Sequence, residues 1–144
     1  MPFVFVVLLL LPLLLVPHPA ISEGDLAIKA ENITLHLGSA DSDYHTEPKT
    51  MNLTTGQAYR LEIIAHGYKS YTWQAEEFLE NVWLRSIEAE GVEIEAPTIY
   101  EIEFDDANEP IEIEITFVPI RPGTYPFSVK GLESRGMQGQ FIVR

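Results

Sequence analysis

Three stretches of this chain alternate apolar residues with acidic ones: Val92-Glu93-Ile94-Glu95, Tyr100-Glu101-Ile102-Glu103-Phe104 and Ile111-Glu112-Ile113-Glu114-Ile115-Thr116-Phe117. A period of two sends successive side chains to opposite faces, so each stretch reads as a half-buried strand; a helix would scatter its acids all round. Ala96-Pro97 and Asp105 to Pro110 separate them with turn-forming residues. Ala58 to Ala65 has the same pattern, with Tyr59, Leu61 and Ile63 against Arg60 and Glu62. Leu26 to Leu37, Tyr68 to Gln74, Thr124 to Val129 and Gln140 to Val143 read as further strands, and Ala75 to Leu79 as a single helical turn. Gly38 to Thr55 is polar and punctuated, and reads as a loop. About eight short strands with hardly any helix predict an all-β, antiparallel Greek-key sandwich.

The beginning of the chain is of another kind. Phe3 to Val16 is an uninterrupted apolar run apart from Pro12, followed by Ala20-Ile21-Ser22. A spanning helix needs roughly 20 apolar residues, and a proline inside one is costly. The run fits the h-region of a secretory signal peptide, with Ala20 and Ser22 as the small-x-small cleavage pattern; an uncleaved anchor is the alternative. The expected organisation is a signal peptide over 1–22 and one domain over 23–144, periplasmic or secreted. A domain of that size buries an adequate core without disulfides.

Charge and cysteine content exclude several functions. There is no cysteine among the 144 residues, so disulfide scaffolds, thiolate metal sites and cysteine nucleophiles are out. Twenty-two acidic residues against nine basic ones give a formal charge of −13. Such a surface repels nucleic acid and attracts cations or a basic partner. Eleven of the acids fall between Glu88 and Glu114, where there is no Lys or Arg. If the three alternating strands are neighbours, their glutamates form one acidic sheet face.

The last stretch, Arg121 to Val143, carries a Pro-Gly turn, the aromatic strand Thr124-Tyr125-Pro126-Phe127, a short loop and the exit Gly136-Met137-Gln138-Gly139 before an apolar strand. It resembles the final hairpin of the cupredoxin superfamily, most closely the EfeO-type cupredoxin-like domains associated with periplasmic iron and copper uptake. The resemblance implies a cupredoxin-like fold and a copper or iron ion as cofactor. It places the thiolate position of a type 1 copper site at Ser128, the loop histidine at Leu132 or Glu133, the upstream histidine around Ser70 to Trp73, and the axial ligand at Met137. Three of the four ligands are then missing, and a type 1 centre needs them together. Type 1 copper is therefore not expected.

Other donors remain. His45 lies among Asp41, Asp43 and Glu47, a nitrogen and oxygen set suited to Cu(II) or Zn(II). His66 ends a strand, and a replacement metal site of His66, Met137, Glu76 and Glu77 is the sharper expectation. Ser128 lacks a nucleophile elbow and no phosphate loop is present, so no enzyme is expected. The resulting reading is a non-enzymatic accessory in copper or iron handling, working with a periplasmic or membrane-bound transport partner. The alternative is a metal-free module that docks a basic partner through its acidic face.

Overall fold

The computed structural model describes residues 29–66, 69–106 and 108–144; the apolar run and the expected cleavage site lie outside them. The strands are β1 (Glu31–Leu37), β2 (Thr46–Glu47), β3 (Thr50–Leu53), β4 (Tyr59–Ala65), β5 (Tyr71–Gln74), β6 (Val82–Ala89), β7 (Val92–Ile94), β8 (Glu101–Phe104), β9 (Ile111–Pro119), β10 (Gly123–Val129) and β11 (Gln138–Val143). One short helix, α1 (Glu76–Leu79), follows β5, and a 3₁₀ turn (Glu133–Arg135) interrupts the last hairpin. Two sheets result, ordered β2-β1-β4-β9-β6-β7 and β3-β11-β10-β5-β8.

The alternation read from the sequence is what closes the sandwich. In the first sheet Ile33, Leu61, Ile115 and Ile87 lie in one cross-strand row, and Leu35 pairs with Ile63. Leu35, Leu61, Ile63, Ile115 and Ile87 are buried against Trp73, Phe127, Phe141 and Tyr125 of the second sheet. Phe78 of α1 plugs one flank. Its ring stacks on Phe141 at 3.9 Å and meets the edge of Phe117 at 5.2 Å. Rings of this size bring most of the apolar area that the core removes from water.

Two features depart from the expectation. The sheets are mixed rather than purely antiparallel, because β1 runs parallel to β4 and β3 parallel to β11. The segment 38–55 is also not all loop, since it holds β2 and β3. The chain leaves the first sheet after β2, forms the edge of the second as β3, and returns as β4 beside β1, so both β1 and β4 point toward the same pole. Among the described residues, no helix is long and apolar enough to cross a membrane.

Candidate functional site

That parallel pairing brings two histidines together. His36 lies between the inward-facing Leu35 and Leu37, so its ring faces out, and it pairs in register with Ile64 of β4 and Glu47 of β2. His66 follows the end of β4, and its backbone N–H donates to the Leu37 carbonyl at 2.6 Å. The imidazoles meet with His36 Nδ1 and His66 Nε2 3.0 Å apart and ring centroids at 5.2 Å. One of these nitrogens carries the hydrogen and the other accepts it. Beside them His45 Nε2 sits 3.2 Å from Glu47 Oε2.

The pole is fixed from behind. Gly38 has φ +75°, and a Cβ there would come within 2.0 Å of the His66 carbonyl oxygen. The Tyr71 hydroxyl lies 2.9 Å from the Asp43 carbonyl and 3.1 Å from that of His66, both acceptors for its hydrogen. Tyr44 takes the Arg135 guanidinium over its ring at 4.8 Å and the Lys69 ammonium at 5.7 Å, and the Lys49 ammonium donates to the Gly136 carbonyl. The segment carrying His45 is thereby tied to the β10–β11 loop. Burial lowers the pKa of His66 below its ordinary 6.5, reinforced by the charges His36 and His45 would carry. Burial, then Asp43 and Tyr44, pushes the Tyr71 phenol up.

The expected metal group of His66, Met137, Glu76 and Glu77 draws on three separate parts of the fold. Met137 is fully buried in the core, and its carbonyl accepts the Val129 N–H at 2.8 Å. Glu76 and Glu77 belong to α1, beyond the far end of β5 from Tyr71, and line a hollow with Gln74, Tyr100 and Ser128. Tyr71 bonds to the His66 carbonyl, and a four-residue strand is about 13 Å long. The side chain that meets the His66 ring is His36, which has no local sequence signal: the pair is 30 residues apart and depends on a parallel pairing.

The type 1 copper set does not fit either. Tyr125, Phe127 and Val129 of β10 point inward, whereas Ser128 points outward and accepts a hydrogen bond from Gln74 Nε2 at 3.0 Å. The β10 residue beside Met137 is therefore Val129, one position on from Ser128. Neither supplies a thiolate. Trp73, where an upstream histidine is sought, is fully buried, and its indole N–H finds no acceptor among the described residues.

The acidic face also differs from the expected one. β8, with Glu101 and Glu103, belongs to the second sheet, and β6 separates β7 from β9. The cross-strand row on the outer face of the first sheet is instead Thr34, Glu62, Glu114, Glu88 and Glu93. Carboxylate oxygens of Glu62, Glu112 and Glu114 lie within 4.8 Å of one another. Thr34 Oγ1 donates to Glu62 at 3.3 Å, and Arg60 Nε pairs with Glu114 at 3.5 Å, so this trio is partly satisfied by its own sheet.

No protein-family model matches the chain, and no curated protein does. Among solved structures, a multicopper oxidase from Pediococcus acidilactici aligns with a TM-score of 0.55 and 13% identity, over 94% of this chain and 30% of that one. An auracyanin from Roseiflexus castenholzii aligns over 81% of this chain and 99% of its own, at 14% identity and a TM-score of 0.48. Auracyanin A from Chloroflexus aurantiacus, described as a "blue" copper protein, aligns over 79% and 100%, at 15% identity and a TM-score of 0.47. At these identities the likeness bears on architecture, not on chemistry. The fold is the cupredoxin-like β-sandwich.

Proposed function

We propose that this is an exported, non-enzymatic cupredoxin-like protein that handles a copper or iron ion through nitrogen and oxygen donors, in the manner of the EfeO-type domains it resembles. The observation that carries the reading is the His36–His66 pair, two outward-facing imidazoles 3.0 Å apart beside His45 and Glu47. Neutral imidazole is the commonest protein ligand for borderline transition metals, and two of them converging on one point form the minimal chelate. The acidic row on the same sheet raises the local concentration of cations. A periplasmic or membrane-bound transport partner would take or supply the ion.

Titration of the full chain with Cu(I), Cu(II), Fe(II), Fe(III) and Zn(II) against competing chelators tests this. A one-to-one site is expected, lost in His66→Ala. Weak, salt-sensitive binding at many sites, unchanged in that variant, sinks the reading.

A second reading has its own observation. Glu62, Glu114, Glu88 and Glu93 cross four adjacent strands, with the exposed Glu112 beside them. A metal-free module would dock a basic partner there. It predicts binding to basic proteins that weakens with salt and is untouched by His36→Ala or His66→Ala.

A further inference from the structure

We infer that the β7 edge of the first sheet docks an extended segment of a basic partner, which adds to the sheet as a further strand with apolar residues and Lys or Arg in alternation. This rests on the second, docking reading above, to which it gives a mode of attachment and a sequence pattern for the partner. It is independent of any metal site.

The edge is pre-formed. β7 is the outermost strand of its sheet, and a two-residue turn joins it to β6 between Ala89 and Val92. Glu90 has φ +50° and Gly91 φ +78°, the two positive angles that a type I′ turn requires. Ala89 and Val92, the first and fourth residues of that turn, form the hydrogen-bonded pair, so the next pair, Glu88 and Glu93, is the one that is not. The N–H and C=O of Glu93 therefore point away from β6, to a side where no strand of the described residues lies. Pro97 has no N–H and ends the edge.

The side chains invite a neighbour. Sheet edges are ordinarily protected by charges that point inward, by prolines or by bulges. On β7 the inward positions are apolar and uncovered. The core row of Leu61, Ile115 and Ile87 runs on to Ile94, but Ile87 is 4% exposed and Ile94 47%. Val92, two positions away on the same face, is 58% exposed. A strand laid against β7 continues this row and covers both side chains with apolar residues of its own.

Glu93 selects the occupant. It ends the outer row of Glu62, Glu114 and Glu88, so the residue set beside it shares that acidic face. Lys29, Arg60 and Arg85 share a hollow with Glu88 and Glu93, which balances the row toward the middle of the sheet. Along the edge itself there is no such balance: Ser86 to Ile120 holds no Lys or Arg, and Glu90, Glu93 and Glu95 follow one another through the turn and strand. A second copy of the chain is the wrong occupant. Paired about Glu93, two β7 strands would set glutamate against glutamate, and each chain carries a formal −13. Lys or Arg beside Glu93, flanked by apolar residues, is the complement.

The test presents the full chain with three probes: a short blocked peptide of alternating valine and lysine, a peptide of the same composition with its valines and lysines in separate blocks, and polylysine. The alternating peptide should bind at least about tenfold tighter than the block peptide. On binding, hydrogen exchange at the Glu93 amide should slow, with the Val92 and Ile94 amides little changed. Ile94→Lys, an inward charge at the edge, and Glu93→Pro, which removes the outward N–H, should each weaken the alternating peptide about tenfold and affect polylysine far less. Equal affinity for the two peptides, or an unmoved Glu93 amide, would overturn strand addition; polylysine binding that weakens with salt would then leave the docking reading standing. A dimer of the chain that Glu93→Pro dissolves would put a second copy on the edge and overturn the basic partner. Binding of none of the three probes would overturn both the inference and the docking reading.

Discussion

At Gly38 the backbone itself sets the distance between the histidines. Its φ of +75° suits glycine, and the space a Cβ would fill is taken by the His66 carbonyl and the Tyr71 hydroxyl. Gly38→Ala should cost at least the roughly 1–3 kcal/mol of a strained left-handed residue, because the clash is with backbone and cannot be relieved by a rotamer. Urea unfolding reads this directly, and an unchanged midpoint would show that the pole is softer than described. The same site gives stability a pH dependence. His66 titrates lower folded than unfolded, first through burial and then through His36 and His45. The unfolded chain therefore binds more protons between the two values. Stability should be full above about pH 6.5 and fall as pH drops through the lowered folded pKa. Glu47, whose carboxylate lies 3.2 Å from His45 Nε2, and the neutral Tyr71 hydroxyl complete the groups around it. Unfolding midpoints across this range should show a shallower slope in His66→Gln; parallel slopes would assign the titration elsewhere. Of these residues the sequence marked His45 and Glu47 by the acids grouped around them, and His66 by its place at a strand end. His36 had no such mark, because an outward residue in a strand says nothing of a neighbour 30 positions on. Ser128 and Val129 were confused by one position, and a one-residue slip in a strand exchanges inside for outside.

Elements were legible in proportion to how strictly they alternate. β4, β8 and β9 follow the period of two closely and lie where that pattern puts them. β2 has two residues and β3 four, with Pro48 and Lys49 between them, and such fragments are indistinguishable from loop without their partners. Yet Met51 and Leu53 of β3 are buried, so this segment contributes to the core as well as to the edge. Helix α1 was anticipated as a turn. Four residues cannot hold a helix by backbone bonding alone. What holds it is Phe78, stacked on Phe141 and edge-on to Phe117. Phe78→Ala should cost about 3–5 kcal/mol, against less than about 1.5 for Phe78→Met if the cavity is refilled. Calorimetry of the two variants checks this, and equal losses would mean that the aromatic geometry, not the volume, matters.

Over the whole molecule the charge is large and uneven. The formal −13 includes a row of glutamates on the outer face that also carries His36. Charges about a Debye length apart, ~10 Å at 0.1 M salt, still act on one another at low ionic strength. Cation affinity at the histidine pair should therefore fall several-fold as salt rises from about 0.02 to 0.5 M, and less so when Glu62, Glu88, Glu93 and Glu114 are changed together to glutamine. Identical salt slopes in the two proteins would separate the acidic row from the site. The sandwich architecture was readable from the density of short alternating strands. The crossovers were not, because parallel pairing leaves no trace in either strand alone. One of those crossovers governs when the protein can exist as a folded object. β11, the last of the described strands, sits between β10 and β3 inside its sheet, and Thr55 and Leu53 bond to the backbone of Arg144. The strand at one edge of the sandwich thus waits, through every intervening residue, for β11 to be made. Until then its partner does not exist, and the nascent chain has no finished sheet on which to commit.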